Sequence, residues 1–310
     1  MDGLFGVLEV VLPVVSVVLI GLWIRRKGIV SDGGMEEIKG LLVNICLPAV
    51  LFGTFWAMEF TWREAALFFA MAGVTLLAFA LGFAASRLLR VRQRIAPWLC
   101  TTIEGGSIGY ALFILLCGKE NLYHLALLDA GNALIQWTIV MSMLQLSSGG
   151  RKTLRGTARS LLTPINCAIA AGLVCSVTGL GRAASATAPG RVLEAVLDFV
   201  GTPVAALILM TVGYGLSVRG VEWKATGRMM AARAFIFAVC GTAVYALAAS
   251  LFPDKPLYRT ACLVFFILPP TFAYPVYVKD REESAFLSGY LAAYTLLTLT
   301  AFAVVAALIR

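Results

Sequence analysis

The sequence predicts an all-α integral membrane protein with ten transmembrane helices, and three observations lead to that fold class. The chain has 310 residues, of which 60% are hydrophobic and 14% are charged, and its mean hydropathy is +0.88. Soluble chains are nearer half apolar and about a quarter charged. Ten apolar stretches each approach the roughly 20 residues that a helix needs to cross a bilayer core, and Lys and Arg cluster in every second loop between them.

The ten apolar stretches define the predicted spans, numbered 1 to 10 along the chain. Span 2 opens with a polar stretch, Met35 to Lys39, so its helix is expected to start at the membrane interface. Gly and Pro occur inside several spans, as is typical of packed membrane helices. The predicted ranges are 4–24, 35–57, 65–86, 96–117, 122–146, 160–180, 191–216, 226–251, 257–278 and 284–308.

The distribution of basic residues predicts the orientation. Most of the 25 Lys and Arg residues lie in or beside the loops that follow odd-numbered spans, for example at 25–27, 87–94 and 151–159. Because basic loops stay in the cytoplasm, both termini are expected outside. The net charge of +8 is then explained by topology and by contact with membrane lipid rather than by nucleic-acid binding. We expect a multi-pass protein of the cytoplasmic (inner) membrane.

Prolines at corresponding places suggest an internal repeat. Pro13 in span 1 matches Pro164 in span 6, and Pro48 in span 2 matches Pro203 in span 7. Each half holds five spans, an odd number, so the second copy must insert with the opposite orientation. The predicted organisation is a first five-helix repeat, a cytoplasmic linker and a second, inverted five-helix repeat, at 1–147, 148–159 and 160–310.

Spans 4 and 9, corresponding members of the two repeats, each contain a helix-breaking sequence near the middle. The sequence IEGGSIGY lies at 103–110 and ILPPTFAYP at 267–275. Gly105-Gly106 permits non-helical dihedrals, and Pro269-Pro270 removes two donors and disfavours helix before it. Interrupted segments in matching halves indicate a transporter binding site near the bilayer midplane. The alternative is that Gly and Pro only kink two packed helices.

Three stretches carry a family resemblance. They are VLPVVSVVLIGLWIRRKGIVSDGGMEEIKGLLVNICLPAVLF (11–52), the Thr163-Pro164 start of span 6 and the GGSIGY break of span 4. In them the chain resembles the auxin efflux carrier family, which shares its architecture with bile acid:sodium symporters. The resemblance implies ten spans in two inverted repeats, with broken helices 4 and 9 crossing. It also implies elevator-type transport of small, often carboxylate-bearing molecules, in which spans 3–5 and 8–10 move past spans 1, 2, 6 and 7.

The crossover departs from the family pattern. The plant carriers have an asparagine-rich crossover that contains proline, whereas this chain has Glu104-Gly105-Gly106-Ser107 in span 4. Auxin is therefore not the expected substrate, and the coupling ion is open between H⁺ and Na⁺.

The two breaks predict a substrate site. A half-helix that begins after a break offers free N–H groups, which suit an anion, and one that ends before it offers carbonyl groups, which suit a cation. We expect a small organic anion, with a carboxylate, to bind where the breaks cross. Thr202 and Tyr294 are weaker candidates for lining the same cavity. The predicted substrate-binding residues are Gly105, Gly106, Ser107, Tyr110, Asn44, Pro269, Pro270, Thr271 and Tyr274.

Four polar residues are predicted to couple transport to an ion. Glu104 places a carboxylate at membrane depth, where such groups are paired, protonated or ion-coordinating, so it is a candidate proton carrier. The alternative is an ion pair with Arg233. Asp129, Asn132 and Gln136 in span 5 share one helical face, and their oxygen atoms suit Na⁺. The alternative for this polar stripe is hydrogen bonding between helices.

Residues with metal-binding or nucleophilic side chains are scattered. Seven cysteines lie singly within apolar runs and are expected to be packing residues. The one histidine, His124, lies beside Tyr123 at the end of a span and is predicted to be interfacial. No metal site other than the Na⁺ candidate is predicted, and no cofactor.

The predicted function is secondary active transport by an elevator-type mechanism, with a homodimer left open as the assembly. The chain has no GxxxxGK[ST] motif for ATP and no HExxH motif, and enzyme activity is not expected. The alternative is a non-transporting membrane sensor that binds a ligand in the same cavity.

Overall fold

A computed structural model describes residues 2–56, 58, 60–147, 162–216, 222–278 and 280–309. Every regular element among these residues is a helix. The predicted linker 148–159, with its basic cluster, lies outside the described residues, and so do the first two residues of predicted span 6.

The described residues form fourteen α-helices and six short helical turns of other kinds. The α-helices are α1 Asp2–Lys27, α2 Asp32–Leu41, α3 Leu47–Trp56, α4 Trp62–Leu88, α5 Tyr110–Cys117, α6 Tyr123–Ile135, α7 Met141–Ser147, α8 Pro164–Thr178, α9 Leu180–Ser185, α10 Ala188–Gly201, α11 Val204–Gly215, α12 Trp223–Leu251, α13 Leu257–Phe266 and α14 Arg281–Ile309. The π-helical turns are Leu42–Cys46, Gly105–Gly109 and Gln136–Val140, and the 3₁₀ turns are Ala96–Cys100, Lys119–Asn121 and Tyr274–Tyr277.

Eight predicted spans, namely 1–5, 7, 8 and 10, are confirmed as helical segments long and apolar enough to cross a membrane. Predicted spans 6 and 9 correspond to the shorter apolar helices α8, with 15 residues, and α13, with 10 residues. Helix α8 ends at Gly179, whose φ of +73° is left-handed. Helix α13 ends three residues before Pro269-Pro270, which does not continue a helix. Helix length therefore supports eight candidate spans among the described residues rather than ten.

Local sequence determines where several helices begin. Thr61 and Glu64 form a capping box at the start of α4, in which the Thr61 backbone N–H donates to the Glu64 carboxylate at 2.9 Å. Thr163 caps α8 with its side chain. Ser31 caps α2 in the same way, so the helix of span 2 begins at Asp32, before the predicted start.

The surface of the molecule is apolar and its interior holds polar groups. Among the large apolar side chains, Phe199 is 82% exposed and Phe235 is 71% exposed. Exposed apolar surface on this scale is unfavourable in water and favourable in lipid. Buried polar side chains include Glu64, Asp129, Asn132, Gln136 and Arg233. Together with the eight candidate spans, this arrangement identifies a multi-pass, all-α membrane protein.

The helices pack into two bundles. In the first bundle, α1 lies along α11, and α3 packs against α8 and α10, so that it contains spans 1, 2, 6 and 7. In the second bundle, α4 packs against α6 and α12, and α13 packs against α6, α12 and α14. This bundle contains spans 3, 4, 5, 8, 9 and 10. Contacts of α1 with α14 and of α11 with α5 join the two bundles.

Glycine permits a close contact between α1 and α11 in the first bundle. A Cβ atom on Gly21 of α1 would lie 2.1 Å from the Met210 backbone oxygen, and one on Gly213 of α11 would lie 2.0 Å from the Val18 backbone oxygen. No side chain fits at such distances, so small residues on both helices allow the two backbones to meet.

We expect G21A to lower the free energy of unfolding by about 1–3 kcal/mol, because the new Cβ forces α1 away from α11. G73A is the matched control: Gly73 lies within α4, and nothing lies within 4 Å of a Cβ added there. Thermal unfolding of both variants in detergent measures the difference. Equal melting temperatures would contradict the close approach.

Candidate functional site

The two helix breaks lie next to each other. The chain leaves helical geometry at residues 101–104 in span 4 and at residues 267–273 in span 9. At the point of contact, the Glu104 backbone N–H donates to the Pro269 carbonyl at 2.9 Å. Each break therefore satisfies part of the other's backbone, which is required of irregular chain at membrane depth.

The Glu104 carboxylate binds donors from both breaks. Its Oε1 accepts from the Ser107 hydroxyl at 2.7 Å, and its Oε2 accepts from the Phe272 backbone N–H at 2.7 Å. The alternative partner considered from sequence, Arg233, donates instead to the Leu99 and Leu268 carbonyls. Glu104 thus occupies N–H and O–H donors that a substrate carboxylate would also seek.

Asn132 holds the break of span 4 in place. Its Nδ2 donates to the Ile103 carbonyl at 3.0 Å, and its Oδ1 accepts from the Ile103 backbone N–H at 3.3 Å. The same Nδ2 lies 3.2 Å from Asp129 Oδ1 and 3.4 Å from Gln136 Oε1. The predicted polar stripe therefore lies together, and its central amide nitrogen donates to the two side chains on either side.

Asp129 and Gln136 extend this network in opposite directions. Asp129 Oδ2 accepts from the Tyr110 hydroxyl at 2.8 Å, and Gln136 Nε2 donates to the Thr271 hydroxyl at 3.1 Å. A Cβ atom on Gly105 would lie 2.3 Å from the Asp129 carboxyl carbon. Span 5 thereby connects the break of span 4 to the break of span 9.

We expect N132L to lower the free energy of unfolding by roughly 2–6 kcal/mol, because the buried N–H and C=O of Ile103 each lose a partner. N44L is the matched control, since Asn44 is exposed and donates only within its own helix, to the Gly40 carbonyl at 2.7 Å. Thermal unfolding measures both variants. An N132L protein as stable as N44L would contradict the role of Asn132 in supporting the break.

A cavity of about 700 Å³ lies between the two bundles. Its walls come from spans 2, 6 and 7 of the first bundle and from spans 4, 5, 9 and 10 of the second. The predicted site residues that line it are Glu104, Gly105, Gly106, Ser107, Asp129, Gln136 and Thr271. Seven of the thirteen predicted substrate and ion residues therefore face one space.

The other predicted site residues lie off the cavity wall. Tyr274 is fully buried, and its hydroxyl donates to the Trp98 carbonyl at 2.7 Å next to the hydroxyls of Thr101 and Thr102. Tyr110 and Asn132 lie behind the lining residues and hold them. The remaining residues outside the described lining are Asn44, Thr202, Pro269, Pro270 and Tyr294.

Two ion pairs lie at opposite ends of the spans that surround the cavity. At its mouth, Lys39 and Glu36 form an ion pair of 2.6 Å beside the end of span 7. On the opposite side, Lys119 in the turn between spans 4 and 5 forms an ion pair of 2.8 Å with Asp198 of α10. This second pair joins the two bundles.

Charge in the described lining is predominantly negative. Glu36, Glu104 and Asp129 carry carboxylates, and Lys39 is the one cation among the described lining residues. Because Lys39 is paired with Glu36 at the mouth, the inner part of the cavity faces two carboxylates. No group of three or more His, Cys, Asp or Glu side chains suited to a metal ion occurs among the described residues.

His124 is buried rather than interfacial, which corrects the prediction. It is 2% exposed, and its ring stacks on Tyr123 at 3.8 Å and meets the edge of Tyr258 at 4.5 Å between ring centres. The Tyr258 hydroxyl donates to the buried Glu64 carboxylate at 2.9 Å. Tyr258 of α13 packs against the His124 ring and helps to bury it, which the position of His124 at a span end did not indicate. His124 therefore belongs to the contact between spans 3, 5 and 9.

Residues 105–109, GGSIG, have the spacing of the GxSxG motif of serine hydrolases. That motif requires a strand before the serine and a histidine base beside it. Here the five residues form a π-helical turn. The Ser107 hydroxyl donates to Glu104, and the single histidine of the sequence belongs to the aromatic contact with Tyr258. The GxSxG spacing is therefore explained by the glycines at the helix break of span 4.

Several residues of the site gave no signal in the sequence. The Phe272 N–H that binds Glu104 is a backbone group, and Thr211 and Thr295 line the cavity from otherwise apolar helices. A threonine inside an apolar span is too common to single out. Arg233 did carry a signal, because a basic residue inside a span is rare and functional by default, but its two carbonyl partners follow only from the fold.

No protein-family model matches the chain, and no curated protein matches it.

Proposed function

We propose that this chain is a secondary active transporter of the elevator type, which moves a small organic anion across the cytoplasmic membrane. The observation that carries the proposal is the cavity between two bundles, with the polar groups of two joined helix breaks on its inner wall. Binding sites of transporters are typically built from interrupted helices at midplane depth. The second bundle carries both breaks and would move past the first.

Helix contacts support an organisation in ten spans and two inverted repeats. The pair α1–α11 joins spans 1 and 7, and the pair α3–α8 joins spans 2 and 6. If spans 1–5 are exchanged with spans 6–10, the pair of spans 1 and 7 becomes the pair of spans 6 and 2. This is expected when two copies of one unit pack together. The same architecture is implied by the resemblance to the auxin efflux carrier family, and we propose membership in that family.

Orientation follows from the basic loops. The mouth of the cavity lies at the start of span 2, next to the cluster Arg25, Arg26 and Lys27. With those loops in the cytoplasm, the cavity opens inward and both termini lie outside. The ion pair between Lys119 and Asp198 would then close the outer side, so that this conformation corresponds to an inward-facing carrier.

Charge in the cavity favours protons as the coupling ion. Two carboxylates, Glu104 and Asp129, face the inner cavity, and Coulomb repulsion in this low-dielectric setting opposes an anion. Protonation removes that repulsion and releases the Phe272 N–H and the Ser107 hydroxyl for the substrate carboxylate. Anion and protons would therefore travel in the same direction.

Two measurements test the proposal. A thermal-shift screen of dicarboxylates, aromatic acids and amino acids at two pH values identifies a ligand, and tracer flux of that ligand is then measured in proteoliposomes. We expect accumulation driven by an inward proton gradient. Binding without flux would support the non-transporting sensor instead, and preferential binding of cationic compounds would contradict the anionic substrate.

A further inference from the structure

Arg233 of α12 binds backbone carbonyls at or beside both helix breaks. Its side chain is fully buried. Its Nη1 donates to the Leu99 carbonyl at 2.6 Å, and its Nη2 donates to the Leu268 carbonyl at 3.1 Å. Leu99 lies in the 3₁₀ turn before the break of span 4, and Leu268 lies between the end of α13 and the prolines of span 9. One guanidinium therefore binds a carbonyl just before the break of span 4 and a carbonyl just before Pro269-Pro270 in the break of span 9.

Carbonyl groups and aromatic rings surround this charge. The guanidinium carbon lies 4.2 Å from the centre of the Phe237 ring and 5.1 Å from that of Tyr294, and aromatic faces attract cations. Ion pairs within the described part of the chain are Lys39–Glu36 and Lys119–Asp198. Arg233 thus has no carboxylate partner there. Burial of a charge without an ion-pair partner is costly, so here the two carbonyls and the two aromatic rings are the groups that stabilise the guanidinium.

We propose that Arg233 is a built-in cation of the crossover, which holds the carbonyl ends of both interrupted helices in the place that a dissolved cation would otherwise take. Carbonyl groups at the end of a half-helix suit a cation in transporters with broken helices. Here one carbonyl from each interrupted helix, that of Leu99 and that of Leu268, already binds the guanidinium. Resting on the proposed function, in which protons are the coupling ion, the inference adds that transport requires no Na⁺.

Arg233 acts as a positioning residue, and chemical rescue tests that role. In R233A, the Leu99 and Leu268 carbonyls lose their donors and an empty space remains. We expect its melting temperature to fall by roughly 10 °C, as for removal of one partner from a buried charged contact. Millimolar methylguanidinium is expected to recover most of that loss in R233A and to leave wild type unchanged. If only side-chain volume mattered, a variant that fills the space without charge would be as stable as wild type.

Three further variants keep the test decisive. R228A is the control, because Arg228 is exposed in the same helix and also donates to a carbonyl, that of Leu89 at 3.4 Å. R233M fills the space without charge, so we expect it to be destabilised and not recovered by methylguanidinium. If R233A does not fold, R233K replaces it in the test. The lysine ammonium group can bind carbonyls but lacks the planar fork of arginine. We therefore expect a melting temperature between those of wild type and R233M.

Specific outcomes overturn the inference. An R233M protein as stable as wild type would mean that no cation is needed, and equal effects of methylguanidinium on R233A and R228A would mean that the recovery is not local. In proteoliposomes, wild-type uptake is expected to be unchanged when Na⁺ is replaced by choline, and a Na⁺ requirement would contradict the proposal. The stability measurements do not involve flux, so a wild type without transport would overturn the proposed function and leave the cation site standing.

Discussion

The E104Q variant is expected to lose most of the uptake driven by a proton gradient, while exchange of substrate across the membrane continues. The Glu104 side chain binds the Phe272 N–H and the Ser107 hydroxyl, and glutamine keeps an oxygen for these donors but does not take up a proton. Hydrogen bonds to a charged group contribute about 1.5–3 kcal/mol, so proton-driven uptake should fall roughly 10- to 100-fold. Initial uptake rates in proteoliposomes at several external pH values measure the effect.

Counterflow under equal pH separates coupling from folding in this variant. E104Q protein that exchanges labelled for unlabelled substrate has kept its fold and its binding site. E282Q is the control, since Glu282 is an exposed carboxylate in the first turn of α14, and it should leave the pH profile unchanged. Undiminished proton-driven uptake by E104Q would exclude Glu104 as a coupling residue.

The second large effect is expected from G105A. A Cβ atom there would lie 2.3 Å from the carboxyl carbon of Asp129. That carboxylate is held by Tyr110 and Asn132, so it moves only if hydrogen bonds break. The loss of one or two such bonds to a charged group should reduce substrate affinity roughly 10- to 100-fold.

The neighbouring glycine provides a matched comparison. The nearest atom to a Cβ on Gly106 lies 3.8 Å away, an ordinary contact, although Gly106 also lines the cavity. We therefore expect G106A to bind substrate far better than G105A when both are titrated by thermal shift. Equal affinities would show that the contact between Gly105 and Asp129 does not shape the site.

The membrane fold and the position of the breaks were predictable from local features of the sequence. Apolar length alone locates the spans, and the pairs Gly105-Gly106 and Pro269-Pro270 mark the breaks because they act through backbone dihedrals and missing donors. The spacing of Asp129, Asn132 and Gln136 likewise predicts one face, because span 5 keeps the regular α-helical period up to Ile135. Such properties depend only on near neighbours along the chain.

Properties that depend on distant parts of the chain were not predictable. The pairing of Asn132 with the Ile103 backbone, and of Arg233 with two carbonyls, depends on how spans 5 and 8 pack against the breaks. Asn44 lies in a helix that does face the cavity, through Val43 and Leu47, but its own side chain is exposed. Residues Leu42–Cys46 of that segment form a π-helical turn. This turn moves side chains away from the face on which a regular α-helical period would place them.

Both ends of the interrupted helices are bound by the chain's own charges. Glu104 accepts from the Phe272 N–H, which follows Pro269-Pro270, and Arg233 donates to the Leu99 and Leu268 carbonyls, which precede Glu104 and the two prolines respectively. This pairing explains how irregular backbone persists at membrane depth. It also assigns different roles to the two charges: in the proposed cycle Glu104 is neutralised, and Arg233 stays charged.

The proposed sliding of one bundle past the other is tested most directly by joining the two bundles at the ion pair between Lys119 and Asp198. Lys119 and Asp198 lie in different bundles with their charged groups 2.8 Å apart, so cysteines at both positions, in a chain without its native cysteines, can be linked by a short cleavable reagent. We predict that the linked protein binds substrate, transports none, and regains flux when the link is cleaved, with K119C alone unaffected. Full flux through the linked protein would contradict the elevator movement.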